Sequence, residues 1–158
     1  MFCDNQTKKQ AGMTLIEILV VLGLLSLVGG FSIVMGVDSY RSQIFRSDRD
    51  ILVSALHRAR ALAMSNVCFG ESCTDGLHHG VRIEPGRFII FQGRDFNNSD
   101  EHNEIIEMAG GAQVSGITEV VFHPLSGEPS TTGDIIITDS ISISTTTIGA
   151  EGQIFWTR

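Results

Sequence analysis

The chain has 158 residues, of which 42% are hydrophobic, and a formal net charge of −7. This length is enough for one modest domain and one additional helix, and the acidic balance disfavours binding to the phosphates of nucleic acids. The sequence contains no nucleophile elbow, phosphate-binding glycine loop or pair of catalytic carboxylates, and His57 lies on a predicted helix face. We therefore predict that the protein is not an enzyme and binds no cofactor.

A polar leader, residues 1–12, precedes a long apolar run. No charged residue occurs from Ile18 to Val37, a stretch of 20 residues. A helix of about 20 residues crosses a bilayer core of roughly 30 Å. We therefore predict a membrane-spanning segment over residues 13–37, with its N-terminus in the cytoplasm because the leader carries two lysines.

Glu17 lies at the start of this apolar segment. A carboxylate at that depth costs on the order of 2.5–3.5 kcal/mol, so it requires a partner. An ordinary membrane anchor and a secretory signal peptide cut near Gly30 are the alternatives. The run is longer than the 7–15 apolar residues typical of a signal peptide and has no Ala-x-Ala site.

The helical pattern continues after the apolar run. In residues 38–67 the apolar side chains recur at spacings of three and four, which predicts an amphipathic half of the same long helix. The stripe consists of Ile44, Ile51, Leu52, Ala55, Leu56, Ala59, Leu62 and Ala63.

Residues 68–158 are predicted to form a β-rich globular domain. Pro85-Gly86 separates two alternating segments and predicts a hairpin. The predicted strands cover residues 80–84, 87–91, 104–108, 117–122, 134–138, 140–147 and 152–156. The chain as a whole is therefore expected to be an α+β protein, with one long N-terminal helix packed on a C-terminal antiparallel β-sheet domain.

The N-terminal segment Gly12-Met13-Thr14-Leu15-Ile16-Glu17 resembles the signature of type IV prepilins. The resemblance implies cleavage between Gly12 and Met13 by a prepilin peptidase, followed by methylation of the new amine. It further implies that Glu17 pairs with the Met13 amine during filament assembly. The first mature residue is Met rather than the usual Phe, and cleavage would leave nine of the 11 basic and 17 of the 18 acidic residues, a net charge near −8.

Three later segments are similar to those of H-type minor pseudopilins and FimT-like minor pilins, the GspH/FimT family. They are the Ala-Arg segment at residues 55–63, the loop Phe122-His123-Pro124-Leu125-Ser126-Gly127 and the C-terminal segment 148–156. The similarity implies a minor subunit of a type II secretion pseudopilus or a type IV pilus. Its partners would be other pilins, the prepilin peptidase and inner-membrane lipid, with the C-terminal domain in the periplasm or outside the cell.

A DNA-uptake minor pilin of the FimT-like type is the alternative function. Such proteins carry a basic C-terminal Gly-Arg-x-Arg segment, whereas residues 152–158 contain a single Arg. The acidic net charge also disfavours binding to DNA phosphates, so we expect no binding of nucleic acid.

The cysteines predict a short disulfide loop. Cys3 lies in the leader, whereas Cys68 and Cys73 remain as an even pair in a compartment that permits disulfides. A bridge between Cys68 and Cys73 would contribute about 2 kcal/mol because the loop is short. Two unpaired thiols are the alternative.

Two clusters suggest a metal, and for both we expect none. The spacing of Cys68, Cys73, His78 and His79 does not match common structural zinc sites. The polar loop 95–104 is rich in oxygen ligands, with Asp95, Asn97, Ser99, Asp100, Glu101 and Glu104. It lacks the glycine and the terminal glutamate of a calcium loop, so a solvated acidic loop is the simpler interpretation.

Overall fold

The structure, a computed structural model, describes residues 14–70 and 76–157, and for residues 31–38 it describes the backbone alone. The chain divides into two units, Met1–Tyr40 and Arg41–Arg158. Helix α1, Leu15–Met64, contributes residues to both units. An N-terminal helix and a C-terminal antiparallel β domain confirm the predicted α+β, pilin-like architecture.

The second unit contains two four-stranded antiparallel sheets. The first sheet has the strand order β3-β2-β1-β5 and the second has the order β4-β6-β7-β8. The strands are β1 His79–Glu84, β2 Arg87–Gln92, β3 Glu104–Glu107, β4 Gln113–Gly116, β5 Glu119–Phe122, β6 Gly133–Thr138, β7 Ile143–Ile148 and β8 Ile154–Thr157.

The predicted hairpin at Pro85-Gly86 is confirmed. Glu84 pairs with Arg87 in the register of β1 and β2, so the connection is two residues long. Gly86 has a φ of 82°, a conformation that glycine adopts without steric cost. The Arg87 guanidinium donates to the Glu84 carboxylate at 2.6 Å and holds the two strand ends together.

The core lies between the sheets and residues 45–63 of α1. The apolar stripe predicted from the sequence is confirmed as the face of α1 that packs against the sheets. Five of its eight side chains are buried, and Ile44, Ile51 and Leu62 are half-buried. The buried helix members are Phe45, Asp48, Leu52, Ala55, Leu56, Ala59 and Ala63. The apolar members pack against Val81, Phe88, Val120 and Phe122 of the first sheet and Ile135, Ile137 and Ile148 of the second. Each large apolar side chain buried in this way contributes about 1.5–3 kcal/mol.

Helix α1 ends at Met64, three residues before the predicted boundary at residue 67. Asn66 has a φ of 52°, its N–H donates to the Ala63 carbonyl, and the Val67 N–H donates to the Leu62 carbonyl. These two bonds form a Schellman motif, which satisfies carbonyls that the helix end would otherwise leave without donors.

The strand predictions are confirmed to within two residues at each end, apart from two larger differences. Strand β4, Gln113–Gly116, was not predicted. Strand β7 begins at Ile143 rather than at Ser140, because the Asp139 carboxylate accepts hydrogen bonds from the Ile141 and Ser142 N–H groups at 2.6 and 3.1 Å. An aspartate that bonds the backbone two residues on makes an Asx turn, which removes those residues from the ladder.

Candidate functional site

Thr14 and Glu17 form the first turn of α1. The Thr14 carbonyl accepts from the Glu17 and Ile18 N–H groups at 3.1 and 3.2 Å. The Thr14 hydroxyl lies 3.4 Å from the Glu17 nitrogen, in the position of an N-cap acceptor. Glu17 is the acidic residue of the first turn, where the partial positive charge of the helix dipole stabilises a carboxylate. The predicted cleavage pair, Gly12 and Met13, lies outside the described residues.

Helix α1 exposes apolar side chains over its first four turns. From Leu15 to Val28 the large apolar residues are between 40% and 77% exposed. A contiguous apolar surface of this kind marks a site that another apolar phase or partner covers.

Among the described residues, no helix has the length and sustained apolar character that crossing a membrane requires. The span predicted over residues 13–37 is therefore not confirmed; residue 13 and the side chains of residues 31–37 lie outside what the structure describes.

Arg60 of α1 joins two loops of the β domain. Its Nε donates to the Gly127 carbonyl at 3.2 Å, and an Nη donates to the Glu151 carbonyl at 2.8 Å. The Leu125 N–H also donates to the Ala63 carbonyl near the helix end, at 2.9 Å. The arginine junction, defined here as Arg60, Gly127, Glu151 and Gly152, brings together the three segments that the sequence analysis singled out.

Glycine is required twice in the arginine junction. A Cβ on Gly152 would collide with the Gly127 carbonyl oxygen and would lie 2.7 Å from Arg60 Nε. A Cβ on Gly127 would lie 2.6 Å from the Met64 side chain. Gly127 and Gly152 also have φ values of 66° and 78°, which L side chains rarely adopt. Close approach and positive φ together explain why both positions are glycine.

Comparison with known protein families finds one match, at the start of the chain. The family model described as the prokaryotic N-terminal methylation motif matches residues 7–36. The chain carries a type IV pilin-like prepilin signal. This motif is typical of membrane-anchored pilins and pseudopilins that a prepilin peptidase processes, and so of structural subunits rather than enzymes. No curated protein and no solved structure shows significant similarity to the chain.

Around the methylation motif, the geometry fits the roles that such a signal requires. Glu17 is exposed in the first turn, four residues after Met13, so its carboxylate is free of burial in its own chain. The flanking apolar residues leave the same helix end without a covering surface in the described part of the chain. Both features are suited to a contact with a neighbouring molecule.

The predicted disulfide involves one residue that the structure describes. Cys68 is half-buried in the segment after α1, whereas Cys73 lies outside the described residues. The neighbouring residue Phe69 is fixed by two bonds: its N–H donates to the Gln92 side-chain carbonyl at 3.0 Å, and its carbonyl accepts from the Gln92 amide at 2.9 Å. These bonds fasten the segment to β2, and the bridge itself stays a prediction.

His78 and His79 do not point to a common site. The His79 side chain is buried and its Nε2 lies 2.9 Å from the Val67 carbonyl oxygen, so it ties the helix end to β1. The His78 Nε2 instead lies 3.0 Å from His123 Nδ1. Burial lowers the pKa of His78, and the charges of His123 and Arg94 lower that pKa further.

Two acidic side chains of the loop 95–104, Asp100 and Glu104, have protein partners. The Asp100 carboxylate accepts from the His102 N–H at 2.9 Å and lies 3.0 Å from His102 Nδ1. The backbone hydrogen bond from His102 lowers the pKa of Asp100. Burial is the next largest effect and raises that pKa, whereas the side-chain bond and the charge of His102 lower it. Glu104 pairs with Arg58 of α1 at 2.8 Å. Over residues 14–70 and 76–157, no three histidine, cysteine or acidic side chains are grouped to hold a metal ion.

Asp48 is a structurally important residue that sequence reasoning missed. It is fully buried, and its carboxylate accepts from the Ala109 N–H at 2.7 Å and from the Gly110 N–H at 3.1 Å. A Cβ on Gly110 would lie 2.8 Å from Asp48 Oδ2, so the glycine permits this approach. Asp48 lies three residues after Phe45 and four before Leu52, on the apolar stripe of α1. This spacing could have predicted from the sequence that the carboxylate is buried.

Proposed function

We propose that the protein is a minor pilin or minor pseudopilin, a structural subunit of a type II secretion pseudopilus or a type IV pilus. The observation that carries this proposal is the methylation motif together with an exposed carboxylate and an exposed apolar surface in the first turns of α1. The β domain supports it because its core is complete without the first unit, as expected for a head carried by an assembling helix.

The proposed assembly step joins Glu17 of one subunit to a methylated Met13 amine. In a bundle of apolar helices the local dielectric is low, so an ammonium and a carboxylate attract each other more strongly than in water. Either group left without its partner there is strongly destabilising. Pairing therefore favours one axial stagger between neighbouring subunits.

Before assembly, the same helix would be stored in the inner membrane. The N-terminus would face the cytoplasm, and the β domain would face the periplasm. The exposed apolar residues from Leu15 to Val28 support this location, because lipid tails or other helices would cover them. The pair of lysines in the leader supports the orientation.

The experiment that tests the proposed processing is intact and N-terminal peptide mass spectrometry of protein from the envelope. The expected mature chain begins at Met13 and carries one methyl group on its amine. A Gly12→Val variant is the matched control, and we expect it to keep its leader. A wild-type chain that begins near residue 30, or that keeps residues 1–12, would contradict the proposal.

A further inference from the structure

The side chains of His78 and His123 meet at one end of the first sheet. Strands β1 and β5 are antiparallel with His79 opposite Phe122, so the next pair in the register is His78 opposite His123. His78 Nε2 and His123 Nδ1 are 3.0 Å apart, and the two rings are inclined at 65°. Both side chains are accessible to solvent, since His123 is exposed and His78 is half-buried.

The hydrogen bond requires at least one of the two imidazoles to be neutral. Two ring nitrogens at hydrogen-bonding distance require that one donates and the other accepts, which is possible only when the accepting ring is neutral. Before both nitrogens can bind one ion, the donating nitrogen must lose its proton or move it to the other nitrogen of its ring.

We propose that His78 and His123 form a two-nitrogen chelate for a divalent transition metal of the Cu²⁺, Ni²⁺ and Zn²⁺ group. This inference is independent of the proposed filament function. Imidazole nitrogens bind these ions at about 2.0–2.1 Å. Two nitrogens 3.0 Å apart, each at that distance from one ion, subtend an angle of about 90–97° at the metal.

This angle distinguishes among the three ions. It matches neighbouring positions of a square-planar or octahedral complex, the geometries that Cu²⁺ and Ni²⁺ prefer. A tetrahedral Zn²⁺ site needs an angle of about 109° and a nitrogen separation of about 3.3–3.4 Å, so the rings would have to move apart. We therefore expect the order of affinity to be Cu²⁺, then Ni²⁺, then Zn²⁺.

The surroundings limit the affinity. Over the described residues no third histidine, cysteine or acidic side chain completes a metal group, so water fills the remaining positions. The charge of Arg94 acts on His78 and opposes the approach of a cation. Removing that charge should strengthen metal binding, a result that a purely structural histidine pair does not predict.

Binding would connect two parts of the β domain. His78 immediately precedes β1, and His123 begins the loop that runs to Gly127 in the arginine junction. A metal that bridges the two histidines would hold this loop to the first sheet. The two histidines lie close together only in the folded chain, so the ion should bind the folded chain more tightly than the unfolded chain. Binding should therefore raise the midpoint of thermal unfolding.

The test uses the full chain in detergent, freed of metal by a chelator and titrated with Cu²⁺, Ni²⁺, Zn²⁺ or Mg²⁺. Calorimetry and thermal unfolding measure binding, and electron paramagnetic resonance of the Cu²⁺ form counts nitrogen ligands. We expect one Cu²⁺ per chain with two nitrogen ligands, a raised unfolding temperature and no effect of Mg²⁺. Either His78→Ala or His123→Ala should weaken Cu²⁺ binding by about tenfold or more.

Two variants and one labelling measurement serve as controls. His57→Ala removes an exposed histidine on α1 and should leave binding unchanged, and Arg94→Gln should tighten it. If a histidine variant fails to fold, the wild type is labelled with diethyl pyrocarbonate with and without Cu²⁺, and the labelled residues are mapped by mass spectrometry. Bound Cu²⁺ should protect His78 and His123 from labelling. Unchanged binding in both histidine variants, or labelling that Cu²⁺ does not reduce, would overturn the proposal.

Discussion

Replacing Asp48 by alanine should be among the most destabilising single changes in the β domain. The change removes a fully buried carboxylate and leaves the N–H groups of Ala109 and Gly110 without an acceptor. A hydrogen bond to a charged group contributes about 1.5–3 kcal/mol. Because Ala109 is exposed and Gly110 is half-buried, water can reach the two N–H groups, so the expected loss is at the low end for two such bonds, roughly 3–4 kcal/mol. For a unit of about 120 residues the entropy of unfolding is about 0.25 kcal/mol/K, so the melting temperature should fall by about 12–16 °C.

Two further variants separate the hydrogen bonds from the general effect of a mutation on α1. Asp48→Asn keeps one oxygen toward the Ala109 N–H and should lose only about 1–2 kcal/mol. Asp50→Ala is the matched control: its side chain is 65% exposed and pairs with Arg49 among the residues that the structure describes. That change should stay within about 0.5 kcal/mol of the wild type. Urea unfolding followed by circular dichroism measures all three, and equal stability of Asp48→Ala and Asp50→Ala would refute the role given to Asp48.

Three more predictions concern other parts of the β domain. Alkylation with and without reductant should show that Cys68 and Cys73 are bridged within one chain, and two freely alkylated thiols in envelope protein would exclude the bridge. Gly152→Ala should lower the free energy of unfolding by about 1–3 kcal/mol more than Gly86→Ala, because both have positive φ but only the former meets neighbouring atoms; equal losses would remove the crowding argument. The pKa of His78 in the folded protein lies below its ordinary value of 6.5. Between these two pKa values the unfolded state binds more protons than the folded state, so the free energy of unfolding should fall as the pH drops below about 6.5. His78→Asn should flatten this dependence in metal-free buffer, and an unchanged pH profile would assign it to another group.

Local patterns predicted most of the fold. Spacings of three and four located the buried face of α1, and Pro85-Gly86 located the hairpin, because each pattern reports a structure formed by residues that are close in sequence. Strand β4 was not predicted because Gln113–Gly116 is mostly exposed and lacks apolar alternation. Its strand conformation depends on pairing with β6, about 20 residues further along the chain.

The site was predictable only where it is continuous in sequence. The methylation motif lies within one segment, and both the sequence and the family comparison found it. The bond from Asp48 to the backbone of residue 109 joins positions 61 residues apart, and the contact between His78 and His123 joins positions 45 apart. Charge and spacing along a chain carry no information about such partners until the sheet register is known.

The central claim is that Glu17 drives incorporation into a filament, and co-purification of Glu17→Ala with the other pilin-like subunits tests it most directly. The variant should be cleaved after Gly12 and reach normal levels in the membrane, since loss of a charge makes the segment more apolar. Its recovery with partner subunits should fall sharply, because breaking a buried ion pair costs on the order of 3–5 kcal/mol.

Thr14→Ala is the matched control in the same measurement. It removes the hydroxyl that caps α1, at a cost of about 1 kcal/mol to the helix, and keeps the carboxylate of Glu17. We predict that Thr14→Ala still co-purifies with its partners and Glu17→Ala does not. Recovery of Glu17→Ala at the wild-type level, or equal loss in both variants, would contradict a charge-pairing role for Glu17.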